Sequence, residues 1–211
     1  MFRDEKIIRT RFSIEIPHAD MCNAIYAAML AETSSRGSRF VHDEPTERHI
    51  MSAAKWLIDP GKKPGLLLFG SVGNGKTTLA RAIANVIDRL LELEYGYNVC
   101  PKIQFLTARK ICDLRAKSDT GGYEKLFRED KMVIDDLGEE PKELLLYGQP
   151  VTPLIDLLSS RYEQQLFTIV TTNLGKGSLE GKYDKRIYDR MREWLEPIPF
   201  TNGSYRKQKT T

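Results

Sequence analysis

Cysteine is scarce in this sequence: Cys22, Cys100 and Cys112 are the only thiols in 211 residues, and no two form a C-x-x-C pair. That spacing offers neither a disulfide framework nor a structural zinc site, and a reducing cytoplasm is the expected compartment. Long apolar runs are missing as well. No stretch approaches the roughly 18 residues of a membrane helix, and the charged start, residues 1–11, is no signal peptide, so no membrane partner is expected. Charge of one sign is not in excess either, with 32 Lys and Arg against 29 Asp and Glu, a net +3. Such a balance permits a nucleic-acid partner where cations cluster, but does not demand one. Repeats and low-complexity linkers are absent, and the length suits one sizeable α/β domain better than two.

What is present centres on residues 65–78. Leu66, Leu67, Leu68 and Phe69 make a short apolar run that reads as a buried strand. Gly70, Ser71, Val72, Gly73, Asn74, Gly75, Lys76 and Thr77 then fit G-x-x-x-x-G-K-S/T, with Thr78 opening an amphipathic helix over 78–94. Strand, glycine-rich turn and helix N-terminus are the context in which a phosphate-binding loop is credible. Glycines let successive backbone N–H groups turn inward on an anion, and the helix end adds partial positive charge. Lys76 is expected to reach the β- and γ-phosphates of a nucleotide, and the Thr77 hydroxyl to take a Mg²⁺ position.

Around this stretch, hydrophobic periodicity predicts a short strand over 12–16 and helices over 19–32 and 44–58. A second strand is expected at 102–107, followed by a basic helix at 108–117 and a loop at 118–122. A third strand at 132–134 runs into Asp135 and Asp136. A helix at 152–165, a β-branched strand at 166–171 ending in Thr-Thr-Asn, an arginine-rich helix at 185–194 and a strand at 197–200 complete the pattern. Strands alternating with helices argue for a parallel sheet covered on both faces.

Two acids at the end of an apolar strand suit a phosphate-loop protein. Asp135 is expected to hold Mg²⁺, partly through water, and Asp136 to orient an attacking water. Asn173 falls at the carboxyl end of a strand, where ligands of open parallel sheets collect, and can hydrogen-bond a γ-phosphate or the lytic water. Arg186 and Arg190 share one helical face, which fits either a solvated, ion-paired surface or an arginine finger given to a neighbouring subunit.

In this order the motifs resemble those of the DnaC/IstB group of AAA+ ATPases, which contains bacterial helicase loaders and transposon ATPase subunits. The resemblance spans 44–206 and rests on Gly70-Ser-Val-Gly-Asn-Gly-Lys-Thr-Thr, Val133-Ile-Asp-Asp-Leu-Gly, Ile169-Val-Thr-Thr-Asn, Arg186-Ile-Tyr-Asp-Arg190-Met-Arg and a closing Gly203-Ser-Tyr-Arg. It implies a P-loop NTPase fold of AAA+ type, three-layer α/β/α, with a five-stranded parallel sheet of order 5-1-4-3-2. It also implies ATP and Mg²⁺ as ligands, Walker B roles for Asp135 and Asp136, a sensor 1 role for Asn173, and Arg190 ahead of Arg186 as the trans-acting finger. Residues 107–122 correspond to the helical insertion with which such proteins touch single-stranded DNA. Thr107, Arg109, Lys110, Arg115 and Lys117 are its candidate contacts.

The resemblance divides the chain into a short N-terminal segment with one helix (1–43), an ATPase core (44–206) and a basic tail (207–211). It departs from the group's pattern at Asp136, where glutamate is usual, and in an N-terminal segment shorter than a helicase-gripping domain. The few residues after the fifth strand leave no room for the helical lid of many AAA+ proteins, so no C-terminal lid domain and no sensor 2 chemistry are expected. The resulting expectation is a cytoplasmic, helicase-loader-like ATPase that self-associates on ATP and single-stranded DNA. The alternatives are a transposition ATPase acting on duplex DNA with a transposase, and a nucleotide-gated adaptor that hydrolyses little.

Overall fold

The computed structural model describes residues 11–97, 99–117 and 121–207. Five parallel strands form its sheet: β1 (Gly65–Gly70), β2 (Gln104–Thr107), β3 (Lys131–Leu137), β6 (Phe167–Thr172) and β7 (Leu195–Phe200). Their order across the sheet is β2-β3-β6-β1-β7, which is the expected 5-1-4-3-2 when only these strands are counted along the chain. Alternation along each central strand explains the two covered faces. Leu66, Leu68, Val133, Phe167 and Ile169 point into one core, beneath α1 (His18–Ser35), α2 (Glu44–Ile58) and α3 (Lys76–Tyr95). Leu67, Met132, Ile134 and Val170 point the other way, beneath α4 (Ala108–Ala116), α5 (Gly121–Leu126), α6 (Pro153–Glu163) and α7 (Lys176–Trp194). A strand buried on both sides reads as a continuous apolar run, which is what 66–69 and 132–134 are.

Helix starts follow side-chain chemistry. Asp43 caps α2 by accepting from Thr46 N at 2.9 Å, and Thr107 caps α4 by accepting from Lys110 N at 3.1 Å. Such caps satisfy one of the free amides at a helix N-terminus. The fully buried Arg161 of α6 staples the sheet's far end. It donates to Thr168 Oγ1 (2.8 Å), Glu129 O (2.7 Å), Asp130 O (3.3 Å) and Phe167 O (2.7 Å).

Four local expectations change. Residues 12–16 form no strand; Ile14 N donates to Leu57 O at 3.2 Å, and Phe12 packs edge-on against Phe167. Alternation there fits an extended segment lying on a hydrophobic core, away from any sheet edge. Residues 144–151 make an unforeseen antiparallel hairpin, β4 (Leu144–Leu146) and β5 (Gln149–Val151). Its turn, Tyr147 and Gly148, has φ of 52° and 79°, the left-handed pair that matches strand twist in two-residue hairpins. Gly121 and Gly122, expected in a loop, begin α5, while 118–120 of that expected loop lie outside the described residues. The arginine-rich helix over 185–194 is present, and a further helical stretch from Lys176 precedes it across the non-helical Asp184. Of the expected tail, Lys207 closes a 3-10 turn (Tyr205–Lys207), and 208–211 lie outside the described residues.

Candidate nucleotide site

The carboxyl ends of β1, β3 and β6 meet the N-terminus of α3 in a cleft of about 300 Å³. Val72, Gly73, Asn74, Gly75, Lys76, Thr77 and Thr78 line one wall, and Asp135, Asp136 and Asn173 another. Residues from three separate motifs therefore share one space. Gly70 and Ser71 complete the turn by backbone: Lys76 Nζ donates to Gly70 O at 2.8 Å, Ser71 O at 2.7 Å and Asn74 Oδ1 at 3.1 Å. Burial lowers the Lys76 pKa, and Asp136 and Asp135 oppose that shift. The ammonium is thus held partly desolvated beside the cleft, where its attraction for phosphate is strengthened. Gly73 has φ of 81°, and a side chain there would collide with Ser204.

A register shift between β3 and β6, after Ile134, builds the acidic wall. Asp136 carries φ of 53°, uncommon outside glycine but tolerated by aspartate. A bulge of this kind re-aims side chains at a strand end. Asp135 is buried and accepts from Thr77 Oγ1 at 2.9 Å and Thr171 Oγ1 at 2.6 Å, while Asp136 N donates to Thr171 Oγ1 at 2.9 Å. Desolvation first, then the neighbouring Asp135 and Glu139, raise the Asp136 pKa; Lys76 and Arg206 pull it back. Asp136 is thereby tuned toward accepting a proton.

The far end of the cleft is formed by Arg36, Arg39, Phe40 and Val41, between α1 and α2, with His49 and Phe200 beside them. His49 stacks on Phe200 with centroids 3.7 Å apart and donates from Nε2 to Pro199 O at 3.1 Å.

Arg186 and Arg190 do not line this cleft. Arg186 is exposed, and Arg190 lies 3.6 Å from Glu163 and over the ring of Tyr162. Among the DNA candidates, Arg109, Lys110 and Lys117 are exposed, Arg115 lies over Tyr123, and the Thr107 side chain is engaged in capping α4.

Besides Arg36 and Arg39, the cleft holds a further cation that motif spacing does not assign to it: Arg206, which faces Asp136 and Lys76. It arrives on a strap after β7 in which Tyr205 N donates to Gly73 O at 2.9 Å and Asn202 Nδ2 to Asn74 O at 3.1 Å. The Tyr205 hydroxyl reaches Asp43, the α2 cap, at 2.8 Å. Its signal in the sequence was Gly203-Ser-Tyr-Arg, noted for resemblance alone.

No family model and no curated protein sequence matches the chain significantly. Solved structures do. The crystal structure of DnaI is 26% identical, with a TM-score of 0.58, covering 90% of this chain and 96% of its own. The chain has a P-loop AAA+ fold of the DnaC/DnaI type. The DnaC helicase loader, at 21% identity and a TM-score of 0.57, shares the fold over 77% of this chain and 94% of its own. The AAA+ fold extends to AMPPCP-bound DnaA from Aquifex aeolicus, with 17% identity and a TM-score of 0.50, over 75% of this chain and 48% of that one.

Proposed function

We propose that this protein binds ATP with Mg²⁺ in the cleft and hydrolyses it at an interface between copies, as a cytoplasmic, helicase-loader-like AAA+ protein acting on single-stranded DNA. The observation that carries the reading is the convergence of Lys76, Thr77, Asp135, Asp136 and Asn173 on one cleft at a helix N-terminus. Hydroxyl and carboxylate oxygens, on Thr77 and Asp135, are the hard donors Mg²⁺ prefers. The ion would supply charge neutralisation on the phosphates. Lys76 and the loop amides bind the β- and γ-phosphates, and Arg36 to Val41 enclose the base and sugar end. Asp136, its carboxyl disposed toward taking up a proton, orients the attacking water, and Asn173 fixes the γ-phosphate or that water.

Arg190, with Arg186 as the second candidate, serves the neighbour's site, since neither reaches its own. Residues 44–206 act as the ATPase core, and the described part of the N-terminal segment, 11–43, packs on it through α1. Single-stranded DNA runs along Arg109, Lys110, Arg115 and Lys117. Helicase loading is favoured over transposition because the two loaders, DnaI and DnaC, cover nearly their whole length with this chain.

The test is turnover with ATP, Mg²⁺ and single-stranded DNA. Arg190→Ala is expected to keep ATP affinity and to lose about a thousandfold of DNA-stimulated turnover, the low end for an arginine finger. Unchanged turnover in that variant would remove Arg190 from the site. Tight ATP binding with no turnover in the unaltered protein would favour the adaptor reading, in which the short Asp136 side chain leaves water unaligned.

A further inference from the structure

We propose that Glu140, Lys182 and Tyr183 form a buried latch that orients the arginine-bearing end of α7, making them positioning residues for the arginines offered to a neighbouring subunit. This rests on the shared-site reading above. Glu140 follows β3 by three residues and is 4% exposed. One of its carboxylate oxygens, Oε2, accepts from Gly138 N at 2.8 Å; the other, Oε1, accepts from the Tyr183 hydroxyl and lies 3.2 Å from Lys182 Nζ. Lys182 Nζ also donates to the carbonyls of Gly138 and Glu140, the latter at 2.6 Å. Every polar atom of the cluster is matched, which a buried carboxylate requires. Gly138 itself has φ of 111°, and a side chain there would press on Leu174, next to Asn173. The turn after the catalytic acids, the segment after Asn173 and the first part of α7 are therefore one fastened unit.

The next residue is where the helix changes direction. Asp184 has φ of 63° and ψ of 166°, a conformation otherwise almost confined to glycine. Its Oδ1 accepts from Ile187 N at 2.9 Å, starting the segment that carries Arg186 and Arg190. Such a backbone outlier persists only where its surroundings over-determine it. The latch fixes the residues before it, and the cap fixes those after it. None of the three latch residues lines the cleft, so they touch no substrate. Their place is between one subunit's acidic wall and the arginines that same subunit extends to the next.

Mixed assemblies test this with ATP, Mg²⁺ and single-stranded DNA. Subunits carrying Arg186→Ala and Arg190→Ala keep a site but donate no arginine; subunits carrying Lys76→Ala donate arginines but have no working site. Adding Glu140→Gln to the Lys76→Ala donor keeps the shape of the side chain and removes the counter-charge of Lys182. The expected result is a loss of about tenfold or more in rescued turnover, the scale of a misplaced catalytic group. Glu140→Gln subunits with Lys76 intact, served by plain Lys76→Ala donors, are expected to stay within about twofold of native. Equal rescue by both donors overturns the latch, as does an equal loss in both roles with a lowered melting temperature, which would mark a purely structural cluster. Silence in the mixture with native Glu140 sinks the shared-site reading, and the latch with it.

Discussion

His49 shows how one residue links the cleft to stability. Its ring is buried on Phe200 and its Nε2 proton is committed to Pro199 O. Burial therefore lowers its pKa below the ordinary 6.5. A folded-state pKa that is depressed means the unfolded chain binds the extra proton more readily. Stability is then full above the unfolded pKa and is lost as pH falls through the folded one. Urea unfolding of nucleotide-free protein is expected to show this decline below about pH 6.5. His49→Phe keeps the stack and gives up the hydrogen bond, costing about 1 kcal/mol at neutral pH, and its stability is expected to be flatter across the same window. An unchanged slope in that variant would assign the acid sensitivity elsewhere.

Among the elements, α6 and α7 carry most of what the sequence concealed. The buried Arg161 holds three backbone carbonyls and Thr168, and desolvation lowers its pKa to about 10, which leaves it charged. Arg161→Met would leave those acceptors unsatisfied, and the expected destabilisation is about 3 kcal/mol or more by chemical denaturation. A loss under about 1 kcal/mol would mean that water replaces the guanidinium.

The same region marks the limit of reading by periodicity. Leu66 to Phe69 and Met132 to Ile134 were legible because strands buried on both faces leave continuous apolar runs. Gly70 to Thr78 and Asp135 were legible because phosphate chemistry restricts which residues fit there. The first part of α7 was not: Gly177 and Gly181 weaken helix propensity, and only the packing of Leu179 and Tyr183 in the tertiary core overrides it. Glu140 was invisible for a related reason. A glutamate after a strand reads as solvated until its partners, Lys182 and Tyr183, are brought to it from more than forty residues away. The hairpin at 144–151 escaped notice because its turn is Tyr-Gly, without the Asn-Gly or Asp-Gly pair that announces such turns.

For the whole molecule, modest net charge becomes local charge on α4, where Arg109 and Lys110 are exposed and Arg115 and Lys117 follow on the same short segment. If all four meet phosphates, the logarithm of single-strand affinity is expected to fall with the logarithm of salt with a slope of about −3. Arg109→Glu with Lys110→Glu is expected to reduce that slope by roughly half. Fluorescence anisotropy over a salt series measures it, and a slope that ignores both substitutions would place the DNA elsewhere. On the proposed function, self-association is expected at this scale, because a site that takes its arginines from a neighbour is complete only in an assembly.

The strap beyond β7 has a consequence in time. Tyr205 reaches back 162 positions to Asp43, and Asn202 reaches 128 positions to Asn74. During synthesis the helix after the phosphate loop can form early, since its hydrogen bonds are local, whereas β1 waits for its sheet partners β6 and β7. The strap's hydrogen bonds to the loop, from Asn202 and Tyr205, are complete only once residue 205 has been made. A ribosome-bound nascent chain that has not reached residue 205 therefore carries the loop without its strap.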